Sequence, residues 1–538
     1  MLNRVFALAL VAGLFAGCGK KDPAASSGAV SPLQIWKVGN AAEPQDLDPQ
    51  VTTGDAEHKI HMALFEGLAS KDPKDLHPVP AVAKSWDISD DGLVYTFHLR
   101  ENTRWSDGGP LTAEDFVHSY RRMLSPALGA EFAYLLWSMV GAEDFNKGKL
   151  KDFAEVGVKA VDDRTLRITL RQPTPFFLKM VANHSAWMPV PTRVIAKIGP
   201  VDSKNTRWTK PGQLVGNGPF LLREWLPNQK IVVVRNPHYW DAGTVKLDEI
   251  HFFATENQAA EERMFRTGQL HATYDLPFGK IDTYRKDYPG SLKIDPLLAV
   301  YYYYCNVQKP PLNDKRVRKA LALAIDRESL VKNVTRGGQQ PAYAVSYPGS
   351  SGYFPKARLT GDLDEARRLL AEAGYPGGKG CPVIEILFNT HDNHRLLAEA
   401  IQAMWRTELG VDVRLVNQEW KVYLDMTHTR DYMVARAGWI ADYLDPHPFL
   451  ELWATDNENN RTGWSNPEYD RLLKESLKAG NDVERYETYQ KLDAILVNEL
   501  PVIPIYYYTR VHAISPKVKG YYPTLLDHHP YKHIYLEE

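Results

Sequence analysis

The sequence predicts an α/β fold, and three observations predict it. A β-α-β pattern of apolar residues runs from Val383 to Leu415. Segments with period-two alternation recur through the first half. At 538 residues the chain is too long for one hydrophobic core, so two or three domains are expected. A net charge of -2 offers nothing to nucleic acid or another polyanion.

The N-terminus reads as a targeting segment. Arg4 supplies the basic end, and Val5 to Phe15 is apolar but too short to span a bilayer. Phe15-Ala16-Gly17-Cys18 resembles a bacterial lipobox, which places a signal peptide at 1–17 and a lipid on Cys18. Residues 18–32 then hold the lipidated cysteine and a flexible tether. Only Cys305 and Cys381 remain. An extracytoplasmic compartment would let them pair, and their spacing leaves that open.

Gly92 to Leu99 and Thr165 to Leu170 alternate as half-buried strands do. Ile231 to Val234 is a β-branched run suited to a buried strand, and Asn217-Gly218-Pro219 marks a tight turn before a strand at Phe220. In the second half, Asn313-Asp314 can cap a helix whose stripe is Val317, Ala320, Leu321, Ala324 and Ile325. Leu363, Ala366, Leu369, Leu370 and Ala373 form a second stripe, stopped by Gly374 and Pro376. In the β-α-β unit, Val383 to Phe388 and Val411 to Leu415 are the strands, and Leu397, Ile401 and Trp405 mark the helical face between them. Such a connection implies parallel strands with a right-handed crossover. Open α/β sheets place ligands at the carboxyl ends of these strands, where Thr390 to His394 and Asn417 to Trp420 lie.

The segment Arg436-Ala437-Gly438-Trp439-Ile440-Ala441-Asp442-Tyr443 stands apart. It sets a cation and an anion six residues apart among small and aromatic residues. Buried charges need partners, and a peptide brings one of each sign. The motifs Trp105-Ser106-Asp107-Gly108, Leu111-Thr112-Ala113-Glu114-Asp115-Phe116, Asn217-Gly218-Pro219-Phe220 and Val416-Asn417-Gln418-Glu419-Trp420 occur along the same chain. In this order they resemble the bacterial extracellular solute-binding proteins of the peptide and nickel class, family 5, and within it the oligopeptide-binding branch. The resemblance covers roughly residues 35–535.

That resemblance implies a two-lobed periplasmic binding protein fold of the large, three-domain class. Domain I would comprise 33–65, 194–304 and 509–538, domain II 66–193, and domain III 305–508, with a hinge near 304 and 508. The tyrosine clusters Tyr301 to Tyr304 and Tyr506 to Tyr508 fall at those crossings, either as core aromatics or as ligand contacts. By the same resemblance Asp442 takes a peptide's α-ammonium, Arg436 and His394 help receive its C-terminus, and Trp420 and Trp439 line pockets. Thr53, Gly54 and Asp55 would form a strand that pairs with the peptide backbone, and Asp55 would favour cationic peptides. One departure stands out: Thr427 occupies a position where many of the branch carry an arginine, with Arg430 three residues on.

The implied protein is a periplasmic or cell-envelope lipoprotein and a monomer. It passes short peptides to an ABC permease and its ATPase, without nucleic acid or cofactor. Murein peptide, another amine-bearing ligand, a metal or haem are the alternative cargoes. An enzyme is not expected. HExxH, GxSxG and GxxxxGK[ST] are all absent, and the spacing of His391 and His394 is too common to mark a metal.

Overall fold

The β-α-β unit forms as two parallel strands, Ile384–Asn389 and Val413–Gln418, joined by the helix Asp392–Leu409. Their register runs from Ile384 opposite Val413 to Asn389 opposite Gln418. The helix buries Leu397, Ala398, Ile401 and Trp405, and the Trp405 indole donates to the Leu321 carbonyl at 2.9 Å. Truncating a Trp so placed costs about 3–5 kcal/mol. The helix stops at Gly410, whose φ of 66° is left-handed. A side chain there would also strike the Gly377 carbonyl, 2.4 Å away.

The computed structural model describes residues 33–537 except Asn183, Asn205 and Gly480. The signal peptide, Cys18 and the tether lie outside the described residues. Residues 34–538 pack as one compact unit.

The two parallel strands form one edge of a six-stranded mixed sheet. Its order is Gln340–Pro341, Val502–Ala513, Leu292–Cys305, Val434–Ile440, Ile384–Asn389, Val413–Gln418. The central strand Leu292–Cys305 runs antiparallel to both neighbours. Side chains alternate across it. Tyr301 and Tyr303 enter one core, while Tyr302 and Tyr304 enter another beside Trp453. All four are buried, and Tyr301 stacks on Tyr506 at 4.7 Å. The two tyrosine clusters are therefore core aromatics of paired strands.

A second sheet joins Ile35–Gly39, Glu249–Phe253, Lys230–Arg235 and Phe220–Leu226. The turn before Phe220 depends on Asn217 and Gly218. The Asn217 side chain accepts from the Glu66 N–H and donates to the Glu66 carbonyl, at 3.0 and 2.7 Å. A Cβ on Gly218 would lie 2.6 Å from the Leu64 backbone. A third, antiparallel sheet orders Ala83–Ile88, Val94–Leu99, Thr165–Thr169 and Val158–Asp162. The helix Ala113–Met123 contacts this sheet. It begins at a capping box in which Thr112 and Asp115 satisfy each other's backbone N–H groups.

The two predicted stripes form helices Lys315–Leu323 and Leu363–Glu372, capped by the Asp314 and Asp362 carboxylates. Cys305 and Cys381 are both free thiols, so no disulfide links them. No described helix is long and apolar enough to cross a membrane.

Candidate functional site

The strand Val434–Ile440 carries the site. On one side it pairs with the central strand along its whole length, from Ile440 opposite Ala299 to Val434 opposite Cys305. On the other side only Val434 and Ala435 pair, with Ile386 and Leu387. From Arg436 onward that edge has no strand partner among the described residues. Gly438 is required because a Cβ there would come within 2.9 Å of the Tyr508 hydroxyl.

Asp442 follows the strand and is half-buried. Its Oδ1 lies 3.0 Å from Nε2 of His184, while its Oδ2 is buried without a hydrogen-bond partner. The Lys71 ammonium approaches the Asp442 carbonyl at 3.5 Å. Burial draws that ammonium down to about 8, and the Asp442 charge opposes the drop. Trp439 packs edge-on against Phe132, 6.2 Å between ring centroids, and its indole N–H has no partner.

Arg436 lies at the other end of the open edge. It is half-buried, with its guanidinium 5.6 Å over the Tyr301 ring. No carboxylate forms an ion pair with it among the described residues, and its Nε is buried without a partner. His394 sits 5.6 Å from the same tyrosine ring and stacks on His391 at 4.3 Å. Burial, and then the nearby Arg436 cation, push its imidazole well below the ordinary range, so the ring is neutral.

Trp420 opens the helix Trp420–His428 at the carboxyl end of a parallel strand and stacks on Tyr423 at 5.5 Å. Gly54 lies against it. A Cβ on Gly54 would be 3.2 Å from the Trp420 ring and would strike the Glu57 carboxylate. Thr53 and Gly54 do not form the expected strand. Gly54 is extended (φ -81°, ψ 149°) and caps the helix Asp55–Leu64. Asp55 and Glu57 occupy its first turn, where the helix dipole favours acidic side chains. Asp55 accepts from the Tyr274 hydroxyl at 2.6 Å and pairs with Arg510 at 3.4 Å. Arg510 also pairs with Asp527 at 2.7 Å and Asp275 at 3.4 Å, so Asp55 shares that cation with two other carboxylates.

Thr427 is buried, and its hydroxyl accepts from Arg461 at 2.8 Å. The same guanidinium pairs with Glu131 at 2.8 Å, with both side chains buried. Arg461 thus brings a cation to the place where the sequence lacks one, and Glu131 neutralises it. Arg430 is exposed. Sequence reasoning missed His184, Lys71, Glu131 and Arg461. His184 and Lys71 reach Asp442 from more than 250 residues away, and no local pattern marks them.

Glu57 yields a testable consequence of this packing. Burial pushes its carboxyl from 4.5 up to about 7, against a hydrogen bond from the Gln45 N–H. The folded state therefore holds a proton that the unfolded state has released. Stability from this group is full below about pH 4.5 and is lost as the pH rises towards 7. Glu57→Gln should match the native protein near pH 4.5 and exceed its stability at pH 8, by on the order of 3 kcal/mol. Urea unfolding at the two pH values measures this, and a pH-independent difference would refute it.

A two-lobed α/β frame with an open strand edge between opposite charges defines a solute-binding receptor. The model of the bacterial extracellular solute-binding proteins, family 5 Middle, matches residues 77–461. The chain belongs to that family. The periplasmic oligopeptide-binding protein OppA of Salmonella typhimurium is 38% identical over 492 residues, covering 90% of this chain and 88% of its own. The structure of the Escherichia coli murein tripeptide-binding protein MppA superposes with a TM-score of 0.89 at 35% identity, covering 94% of this chain and 99% of that one. Haemophilus influenzae OppA in complex with the peptide RPPGFSPFR gives 0.87 at 34% identity, covering 94% and 99%. An unliganded open form of MppA gives only 0.62 at the same 35% identity, covering 94% and 97%. At equal identity the difference is one of lobe arrangement, and this chain departs from the open one.

Proposed function

We propose that this protein captures short peptides with a free α-amino group in its closed cleft and delivers them to an ABC permease driven by a separate ATPase. One observation carries the reading: the strand edge from Arg436 to Ile440 is unpaired, with a free buried carboxylate oxygen at one end and an unpaired guanidinium at the other. An extended peptide supplies the missing strand, an ammonium for Asp442 and a carboxylate for Arg436. Fully extended, the six-residue step from Arg436 to Asp442 would span at most about 20 Å, an upper bound of roughly five or six peptide residues at about 3.3–3.6 Å each. Trp420 and the extended backbone at Gly54 close the opposite wall.

Binding involves no bond making. Domain I (33–65, 194–304 and 509–538) with the inserted domain II (66–193), and domain III (305–508), close about the paired strands near 304 and 508. The protein works in the periplasm as a monomer, held to a membrane by a lipid on Cys18. The periplasmic OppA relatives support that location. The likeness to MppA keeps murein tripeptide, which also offers an amine, as a second cargo. Mass spectrometry of ligand released by denaturing the purified protein tests the reading. Peptides of two to five residues are expected, and a metal, haem or sugar would overturn it.

A further inference from the structure

A cavity of about 140 Å³, open at its mouth, lies beside the chain that follows the strand edge just described. Neither Asp442, Arg436, Trp439, Trp420, His394 nor Gly54 lines it. Tyr134, Ser138 and Phe176 form one wall, from the region of the third sheet; Tyr443, Glu451 and Leu473 form the other, from the chain beyond the open edge.

The lining specifies a chemistry. Phe176 and Tyr443 stack on each other at 5.0 Å with their planes 12° apart, so the two walls meet there through apolar rings. The Tyr134 hydroxyl is buried and makes no well-formed hydrogen bond, only a looser approach to the Asn457 side chain. The Ser138 hydroxyl is buried and unpartnered as well. Unsatisfied buried hydroxyls of this kind are costly, and a ligand can satisfy them. Burial, and then the Asp442 charge, raise the Glu451 carboxyl well above the carboxylate range, so it presents a neutral acid. At the mouth Lys147 pairs with Glu143 and Asp456, Arg171 pairs with Glu143, Asp470 accepts from Thr455, and Lys474 is exposed. The buried part of the lining offers hydrogen bonds from Tyr134 and Ser138.

We propose that this cavity is a second binding site, for a small uncharged amphipathic molecule with a flat apolar body and one hydrogen-bonding head. The apolar body packs on Leu473 and Leu477 and against the edges of Phe176 and Tyr443, and the head meets the hydroxyls of Tyr134 and Ser138. The proposal does not depend on the peptide reading.

N-Phenyl-1-naphthylamine, which is uncharged and fluoresces in apolar surroundings, is the probe. Titrated into the purified protein, it should bind saturably with one site per chain. Leu473→Trp and Ser138→Phe fill the cavity from opposite walls, so at least one is expected to fold, as checked by circular dichroism. Each folded variant should weaken the probe at least tenfold, while Tyr134→Phe weakens it about three- to tenfold. Binding of short peptides by the filling variants should stay within twofold of the native protein. No saturable binding, full probe affinity in a folded filling variant, or displacement of the probe by peptide would each overturn the proposal.

Discussion

Asp442→Ala should weaken the binding of short free-amine peptides by about a hundredfold or more while leaving the fold intact. A carboxylate that makes a charge-assisted hydrogen bond in a buried site loses 2–5 kcal/mol or more when truncated, because the cation it served stays desolvated and unpaired. Asp442 meets the conditions for this. Its Oδ2 is buried without a partner among the described residues, and its Oδ1 meets the His184 ring. The strand that precedes it is held by pairing along Leu292–Cys305, not by the Asp442 side chain, so the fold should survive. Calorimetry with a tripeptide measures the loss. The native protein should bind the N-acetylated tripeptide as weakly as the variant binds the free one. Unchanged affinity in Asp442→Ala would remove the amine-anchor role.

Arg461→Met should weaken peptide binding by at least about thirtyfold, through the closed state and not through ligand contact. In the proposed division Glu131 belongs to domain II and Arg461 to domain III, and their side chains pair at 2.8 Å with little exposure. Removing the guanidinium strands the Glu131 carboxylate there, with only His428 3.7 Å away. In an open arrangement water solvates that carboxylate, so the penalty falls on closure alone. Adding Glu131→Gln removes the stranded charge, and the double variant should recover most of the affinity. A cycle in which the two losses simply add would show that the pair does not act as a unit. Small-angle scattering should show the single variant populating a more extended form at peptide concentrations that close the native protein.

Much of the fold was legible in the sequence because the signals were local. The stripe Leu397, Ile401, Trp405 repeats at helical spacing between two apolar runs, and the structure holds it as a parallel β-α-β unit. Asp314 caps a helix as its position suggested. The Thr53–Asp55 segment misled for a physical reason. Its acidic residues at 55 and 57 stabilise a helix N-terminus, and that signal stands in the sequence ahead of the apolar residues Ile60 and Leu64. The tyrosine clusters stayed ambiguous because a tyrosine serves equally as core or contact surface; only the pairing of two strands put Tyr301 to Tyr304 in the interior.

By itself the sequence determined the α/β class, the β-α-β unit with several flanking elements, and the pair Arg436 and Asp442 set six residues apart. These follow from periodicity, capping and turn chemistry, which act over a few residues. The tertiary structure alone decided which charges remain free. Asp55 shares Arg510 with Asp275 and Asp527, Arg461 reaches Thr427 and pairs with Glu131, and Asp442 meets His184, while Arg436 keeps no ion-pair partner among the described residues. Whether a buried charge is spent within the chain or left for a ligand depends on partners hundreds of residues away, and long-range packing brings those together.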